Sequence, residues 1–196
     1  MQMAHLKHLR LITVIITLLS ISSCATAQKL DDEIKEKIEV AKKTNELNIQ
    51  NQNRYSKIPD KVFGLINLKT LTFSASECDI QPCKNILQIP SKVQNLKKLK
   101  HLNLVMNGLK SLPKELNSLK LESLDLSNNL GIDISNLNIQ SLKILNLNDC
   151  DLNSLPKGIW RMKNLTVLGI EGNNSIPEEQ ITRFRKEIPN CVIYWK

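Results

Sequence analysis

Few residues of this chain have the type and spacing that catalysis requires. Of its three histidines, His5 and His8 lie in a basic N-terminal head, so a Ser-His-Asp triad would have to use His101. His101 stands between Leu99 and Leu102 in a predicted strand, and no G-x-S-x-G elbow occurs. A Walker loop, a dinucleotide-binding glycine pattern and H-E-x-x-H are also missing from the sequence. We therefore predict a non-enzymatic protein without a cofactor.

The cysteines are the other residues with reactive side chains. Cys78 and Cys83 are separated by four residues, and a zinc site would need a second pair of ligands, so we predict no metal site. In an oxidising compartment these two cysteines are instead candidates for a local disulfide. Cys150 and Cys191 lie far apart in the predicted fold, and we expect both to be buried, inert thiols.

The N-terminus has the pattern of a secretory signal peptide. A basic head precedes an apolar run from Leu11 to about Ile21, which is too short to span a bilayer as a helix. The run ends in Ile21-Ser22-Ser23-Cys24, which resembles the lipobox of bacterial lipoproteins and implies cleavage before Cys24 and acylation of Cys24. Alternatively, Ala25-Thr26-Ala27 fits the A-x-A rule, with cleavage after Ala27. A buried apolar N-terminal helix is the third possibility.

Composition limits the remaining chain to one domain of ordinary size. The 196 residues are 41% apolar, 23% charged and only 4% aromatic, which excludes general disorder and predicts an aliphatic core. Either cleavage leaves 25 Lys+Arg against 19 Asp+Glu, a net charge of +6. The mature protein is therefore basic overall.

A single repeat accounts for most of the sequence. Segments that read apolar-x-x-Leu-x-apolar begin at Thr44, Leu68, Leu99, Leu121, Leu142 and Leu165, in steps of 24, 31, 22, 21 and 23 residues. Of the 18 sites at positions one, four and six, 17 are apolar, and position four is Leu in all six segments. Positions four and six alternate as a short strand does, and such short strands are stable only when successive coils stack.

Two further features recur along the repeats. The ninth position is occupied by Gln52, Ser76, Asn107, Asn129, Cys150 and Asn173, and a buried amide there can bond the backbone of a neighbouring coil. Return segments begin at Ile58-Pro59, Ile89-Pro90, Leu112-Pro113, Leu155-Pro156 and Ile176-Pro177. Proline lacks the N–H that a ladder needs, so these segments should be loops or short helices.

The pattern resembles the leucine-rich repeat family, as in Leu99-Lys-His-Leu102-Asn-Leu104-Val-Met-Asn107-Gly-Leu109. Its Leu-Pro return segment is similar to the subtype of about 23 residues per repeat. The resemblance implies an α/β fold: a right-handed leucine-rich repeat solenoid of about six coils with a parallel concave β-sheet. Two coils depart from the pattern, since coil four lacks the proline and coil two carries about eight extra residues between Ser74 and Gln88.

Both ends are predicted to be capped. Residues 1–23 form the signal peptide, residues 24–43 a tether or N-terminal capping helix, residues 44–176 the repeats and residues 177–196 a C-terminal cap. Leu30, Ile34, Ile38 and Ala41 share one face of the first helix. At the other end we expect a helix that opens at Pro177 and a last edge strand over residues 192–195.

The outward side chains of the strands form the candidate binding surface, because proteins of this family usually bind there. None of the residues at positions five, seven and eight of the six coils is Lys or Arg. The proposed partner-binding residues are Asn103, Val105, Met106, Asp125, Ser127, Asn146, Asn148, Asp149 and Glu171. Val105 and Met106 are the predicted apolar anchor of this surface.

We predict a non-enzymatic module that recognises a protein partner on this concave sheet in the bacterial cell envelope. It is expected to be a membrane-anchored lipoprotein, or alternatively a secreted or periplasmic protein, with a monomer favoured. Nucleic acid is not expected on the sheet, because phosphate binding needs Lys or Arg. The alternative function is adhesion to anionic lipid or glycan through a basic edge and convex side around Lys97, Lys98 and Lys100. Enzymatic activity in an added ligase domain is not expected, since Lys196 directly follows the cap.

Overall fold

The structure is a computed structural model that describes residues 32–51, 55–75 and 87–196. The chain divides into two compact units, residues 1–39 and residues 40–196. Cys24, Cys78 and Cys83, the signal peptide, and the ladder positions Gln52 and Ser76 all lie outside the described residues. The predictions that rest on them therefore stay predictions.

The second unit is built on one parallel sheet. Its strands, within the described residues, are β1 (Glu46–Gln50), β2 (Thr70–Ser74), β3 (His101–Asn103), β4 (Ser123–Asp125), β5 (Ile144–Asn146), β6 (Val167–Gly169) and β7 (Val192–Tyr194). The spatial order follows the chain order, with every neighbouring pair parallel. The position-four leucines align from Leu47 in β1 to Leu168 in β6. This topology confirms the predicted stack of six coils, with β7 as a closing strand.

The prolines mark the start of the return segments, as predicted. Short 3-10 helices in the described part follow directly on four of them. They span Asp60–Gly64, Ser91–Asn95, Lys114–Ser118 and Lys157–Arg161. Each preceding proline has a φ between −57° and −69°, which its ring imposes. These segments bury Val62, Val93, Leu116 and Ile159, so a return-segment side chain joins the core in each of these four coils.

The ninth position of the repeat forms a buried amide ladder. Asn129 Oδ1 accepts the backbone N–H groups of Asn107 and Leu109, while its Nδ2 donates to Leu104 O and Leu126 O. Asn173 repeats this arrangement with Cys150 as its neighbour in the preceding coil. Since buried backbone groups need partners, the amide satisfies groups that the turn leaves open.

In the first coil, Asn51 also reaches the buried ladder. Asn51, which the repeat pattern placed on the outward face, is 1% exposed and donates from Nδ2 to Asn107 Oδ1 at 2.8 Å. Its Oδ1 also accepts the N–H of Tyr55. The outward assignment of Asn51 is therefore wrong, because its side chain bonds buried groups of this coil and of coil three; Ala75, at the same position of coil two, is also buried.

Coil four lacks a 3-10 helix in its return segment, as the missing proline suggested. Asp133 Oδ1 instead accepts the N–H of Ser135 at 2.8 Å. Hydrogen bonds from the backbone and the side chain of Ser135 hold the pKa of Asp133 below its ordinary value. The next coil approaches this segment closely. A Cβ at Gly158 would collide with the carbonyl of Leu137, so glycine is required there.

Helices are present near both ends of the described chain. Helix α1 is described over residues 32–44, with Ile34, Ile38 and Ala41 buried as the periodicity predicted. Its role as a cap stays a prediction. Helix α2 (Glu178–Glu187) buries Ile181 and Phe184 and leads into β7. The predicted helix and strand at the C-terminal end are thus confirmed.

Candidate functional site

The outward face of the sheet, which we call the concave face, contains one more residue of each repeat than the predicted positions five, seven and eight. Position three of each coil precedes the inward leucine and points to the same side as position five, since alternate strand residues share a face. The omitted residues in the described strands are Glu46, Thr70, His101, Ser123, Ile144, Val167 and Val192. The sequence signal that identifies these residues is the strict alternation of inward and outward side chains on either side of the position-four leucine.

Several predicted contact residues have structural tasks. Asn103 Oδ1 accepts the N–H of Val105, Asp125 Oδ1 that of Ser127, and Asn146 Oδ1 that of Asn148. The carboxylate or amide at position five thus closes the turn at the end of its own strand. The polar composition of the face therefore reflects how the strands end as well as what the face could bind.

Ser127 does not present its side chain to solvent as predicted. It is 6% exposed, and its Oγ donates to Asp125 Oδ1 at 2.6 Å. The expectation of an exposed Ser127 was wrong because its neighbour two residues earlier covers it. Asp125 keeps its other oxygen, Oδ2, near the amide of Asn146 at 3.5 Å.

The sixth coil closes its strand differently because it has Gly169 at position five. Asn148 of the preceding coil supplies the missing acceptor, since its Oδ1 takes the N–H of Glu171 at 2.8 Å. A Cβ on Gly169 would lie 2.7 Å from Asn146 Oδ1, so a larger residue would displace this side chain. Asn148 Nδ2 also donates to Glu171 Oε2, which fixes the predicted site residues Asn148 and Glu171 to each other.

Position eight turns the chain away from the sheet in a left-handed conformation. Met106, Asn128, Asp149 and Gly172 have φ between 54° and 74°, a region that costs non-glycine residues conformational energy. A Cβ at Gly172 would also collide with the carboxylate of Asp149. Met106 and Asp149 are thus held at the strand-end rim of the concave face by the turn itself.

An apolar row crosses the last three strands of the face. Ile144, Val167 and Val192 are in register at position three, and Tyr194 follows Val192 two residues later. Ile144 is 44% exposed, Val192 55% and Tyr194 53%. Gly169 lies in register between Asn146 and Tyr194, and the side-chain amide of Asn146 covers it. Val105 and Met106, the predicted apolar anchor, are half-buried, and they lie away from this row.

A shallow cavity of about 360 Å³ adjoins the row over β2 to β5. Outward residues that line it are Thr70, Thr72, His101, Asn103, Ser123, Asp125, Ile144 and Asn146. His101 Nδ1 and Ser123 Oγ are 2.8 Å apart across two strands. Ile144 is shared by the cavity and the row, so it connects a polar half of the concave face to an apolar half.

Comparison with known proteins agrees with this architecture. A chain of the Leptospira interrogans LRR protein LIC12759 superposes with a TM-score of 0.54 at 34% identity, over 69% of this chain and 33% of that one. The chain belongs to the leucine-rich repeat family. No protein-family model matches the sequence.

Two curated relatives contain a similar stretch of leucine-rich repeats. They are the volume-regulated anion channel subunit LRRC8B of Homo sapiens, 33% identical over 145 residues, and that of Mus musculus, 34% identical over 146 residues. Each match covers 71% of this chain but only 18% of the relative. The likeness therefore concerns the repeats and not the whole channel subunit.

The leucine-rich repeats leave little reactive chemistry in the described residues. Burial raises the pKa of the Cys150 thiol and that of the Cys191 thiol to about 11, so both are protonated at neutral pH. Cys150 occupies the ladder position, where its Sγ contacts Leu126 O at 3.3 Å. No group of three or more His, Cys, Asp or Glu is placed to hold a metal within the described ranges. None of the helices described is long and apolar enough to cross a bilayer.

Proposed function

We propose that this leucine-rich repeat chain is a non-enzymatic binding module that recognises a protein partner on its concave face. The observation that carries the proposal is the apolar row, in which Ile144, Val192 and the adjoining Tyr194 are exposed and Val167 between them is half-buried. A few anchors near the centre of an interface supply most of its binding energy, and tyrosine is among the commonest of them. The fold itself supports this class of function, since leucine-rich repeats are generally scaffolds for protein interaction.

Charge supports a protein partner over a nucleic acid on this surface. Asp125, Asp149 and Glu171 lie on or beside the last three repeat strands, and no outward position of β1 to β6 is Lys or Arg. A partner segment that places an apolar side chain on the row and a basic one toward Asp149 and Glu171 would be complementary. The Asx turns that end the strands also keep the surface ordered before binding, which reduces the entropy lost on association.

Capture with matched variants tests this proposal. The full chain is immobilised and exposed to envelope extract, beside Ile144→Glu on the row and Val40→Glu, at an exposed valine of helix α1. We expect the wild type and Val40→Glu to retain the same protein and Ile144→Glu to lose it. Equal retention by both variants would contradict recognition on the concave face.

We further propose that the module lies in a bacterial cell envelope, held by a lipid on Cys24. The support is the sequence alone, through the apolar run that ends in Ile21-Ser22-Ser23-Cys24. The mass of the mature N-terminal peptide tests it. A diacylated or triacylated Cys24 agrees with the proposal, whereas an unmodified N-terminus at Gln28 indicates simple secretion.

A further inference from the structure

A second surface of the repeat unit lies at the edge of the sheet where the strands begin. In coils two to six, the two residues before and the one residue after each position-one leucine lie along this strand-start edge. These 15 residues are Ile66, Asn67, Lys69, Lys97, Lys98, Lys100, Leu119, Lys120, Glu122, Gln140, Ser141, Lys143, Lys163, Asn164 and Thr166. Seven are lysines and one is acidic, so most of the net charge of the protein is concentrated there.

Backbone hydrogen bonds hold this edge in register. The N–H of Lys100 bonds Lys69 O, that of Glu122 bonds Lys100 O, and that of Lys143 bonds Glu122 O, at 2.7–2.9 Å. Side chains also reach from coil to coil, as Lys98 Nζ does to Asn67 Oδ1 at 2.8 Å. The lysines therefore form one continuous surface, with neighbouring strands about 4.8 Å apart.

The single carboxylate neutralises only part of this surface. Glu122 pairs with Lys143 at 2.9 Å and Lys100 at 3.1 Å, and their hydrogen bonds lower its pKa to about 2. Lys163 lies 3.9 Å from Glu187 of α2. Among the described residues, the other four edge lysines have no carboxylate within ion-pair distance. They are Lys69, Lys97, Lys98 and Lys120.

An exposed apolar side chain on this edge favours a lipid bilayer over a soluble polyanion as the ligand. Ile66 is 62% exposed and stands on this basic edge, next to Asn67, which Lys98 contacts. A soluble polyanion offers nothing to an isolated isoleucine. The surface of a bilayer accepts both an apolar side chain at the acyl boundary and lysines at the phosphates.

We propose that the strand-start edge binds the surface of an anionic lipid bilayer. The lysines contact the headgroup phosphates, and Ile66 enters the interface. This proposal does not rest on partner recognition, because the concave face and the strand-start edge are different surfaces. Each basic residue near an anionic membrane strengthens binding about fivefold. Neutralising Lys97 and Lys98 together is therefore expected to weaken edge contact by about 25-fold.

Lysine labelling of the full chain on vesicles tests the proposal irrespective of any N-terminal anchor. The probes are phosphatidylcholine vesicles with and without phosphatidylglycerol, and acetylation rates are read by mass spectrometry. On anionic vesicles we expect slower labelling of Lys69, Lys97, Lys98 and Lys120, with Lys114 and Lys157 on the return segments unchanged. Added salt should abolish the difference, because exposed charges are screened.

Three outcomes would overturn the proposal. One is equal labelling of edge and return-segment lysines on anionic vesicles. A second is equal edge protection on neutral and anionic vesicles, which would mean that the net negative charge of the lipid is not what is recognised. In the variant arm, K97Q/K98Q and the uncharged substitution Ile66→Gln should each restore labelling of Lys69 and Lys120. The third is that Ile66→Gln leaves protection intact while soluble heparin protects the same lysines equally, which would mean that the edge binds a polyanion and not a bilayer.

Discussion

Removal of the Asn129 side chain is the most demanding test of the ladder that joins the coils. Asn129 is fully buried, and its Oδ1 accepts the N–H groups of Asn107 and Leu109 at 3.1 and 3.0 Å. Asn129→Ala leaves both N–H groups buried without an acceptor, and each such group costs about 1–3 kcal/mol. Leu104 O and Leu126 O also lose the Asn129 amide as a donor. This loss costs less free energy, because a carbonyl oxygen has a second lone pair.

The expected total is about 3–5 kcal/mol, a large part of the ~5–15 kcal/mol that stabilises a domain. Urea unfolding followed by circular dichroism measures it through the change in midpoint at constant slope. Asn174→Ala is the matched control, because Asn174 is exposed and its truncation should change stability by no more than about 0.5 kcal/mol. A loss below about 1 kcal/mol for Asn129→Ala would refute the claim that the amide ladder holds neighbouring coils together.

Three further predictions concern acid stability, thiol reactivity and turn geometry. The pKa of Glu122 is about 2 against an ordinary 4.5, so its stabilisation is present above pH 4.5 and is lost as the pH falls toward 2. Glu122→Gln should therefore flatten the loss of stability over that range in acid titrations, and an unchanged slope would contradict the ion-pair assignment. Cys150 and Cys191 should resist a thiol reagent at pH 8 until the chain unfolds, since burial raises the pKa of each to about 11; rapid labelling of the native protein would disprove their burial. Gly172→Ala should destabilise by about 1–3 kcal/mol, because its φ is +74° and a Cβ would strike the carboxylate beside it, whereas Gly64→Ala has open space; equal midpoints for the two variants would count against the left-handed turn.

The repeat made most of the fold predictable from sequence. The invariant leucine at position four fixed six strands and their register, and the prolines marked where the return segments begin. The first coil was less predictable, because the pattern placed Asn51 on the outward face and the structure buries it against Asn107. A pattern that is shared by all coils locates the average coil better than the terminal one.

The candidate surface was less predictable than the fold. Ile144 and Val192 were overlooked since position three was not included among the outward positions, although strand alternation places it there. The burial of Ser127 depends on a hydrogen bond to Asp125, which no spacing rule reveals. The basic edge was foreseen around Lys97, Lys98 and Lys100, but the exposure of Ile66 among the lysines required the structure.

Site-specific photo-crosslinking tests recognition on the concave face most directly. A photoreactive residue replaces Ile144 on the apolar row in one chain and Asn136 in the return segment of coil four in another, both at exposed positions. Each chain is irradiated with the captured partner, and adducts are resolved by mass spectrometry. We expect adducts with the partner from position 144 and none from position 136. Adducts from position 136 alone would contradict this expectation.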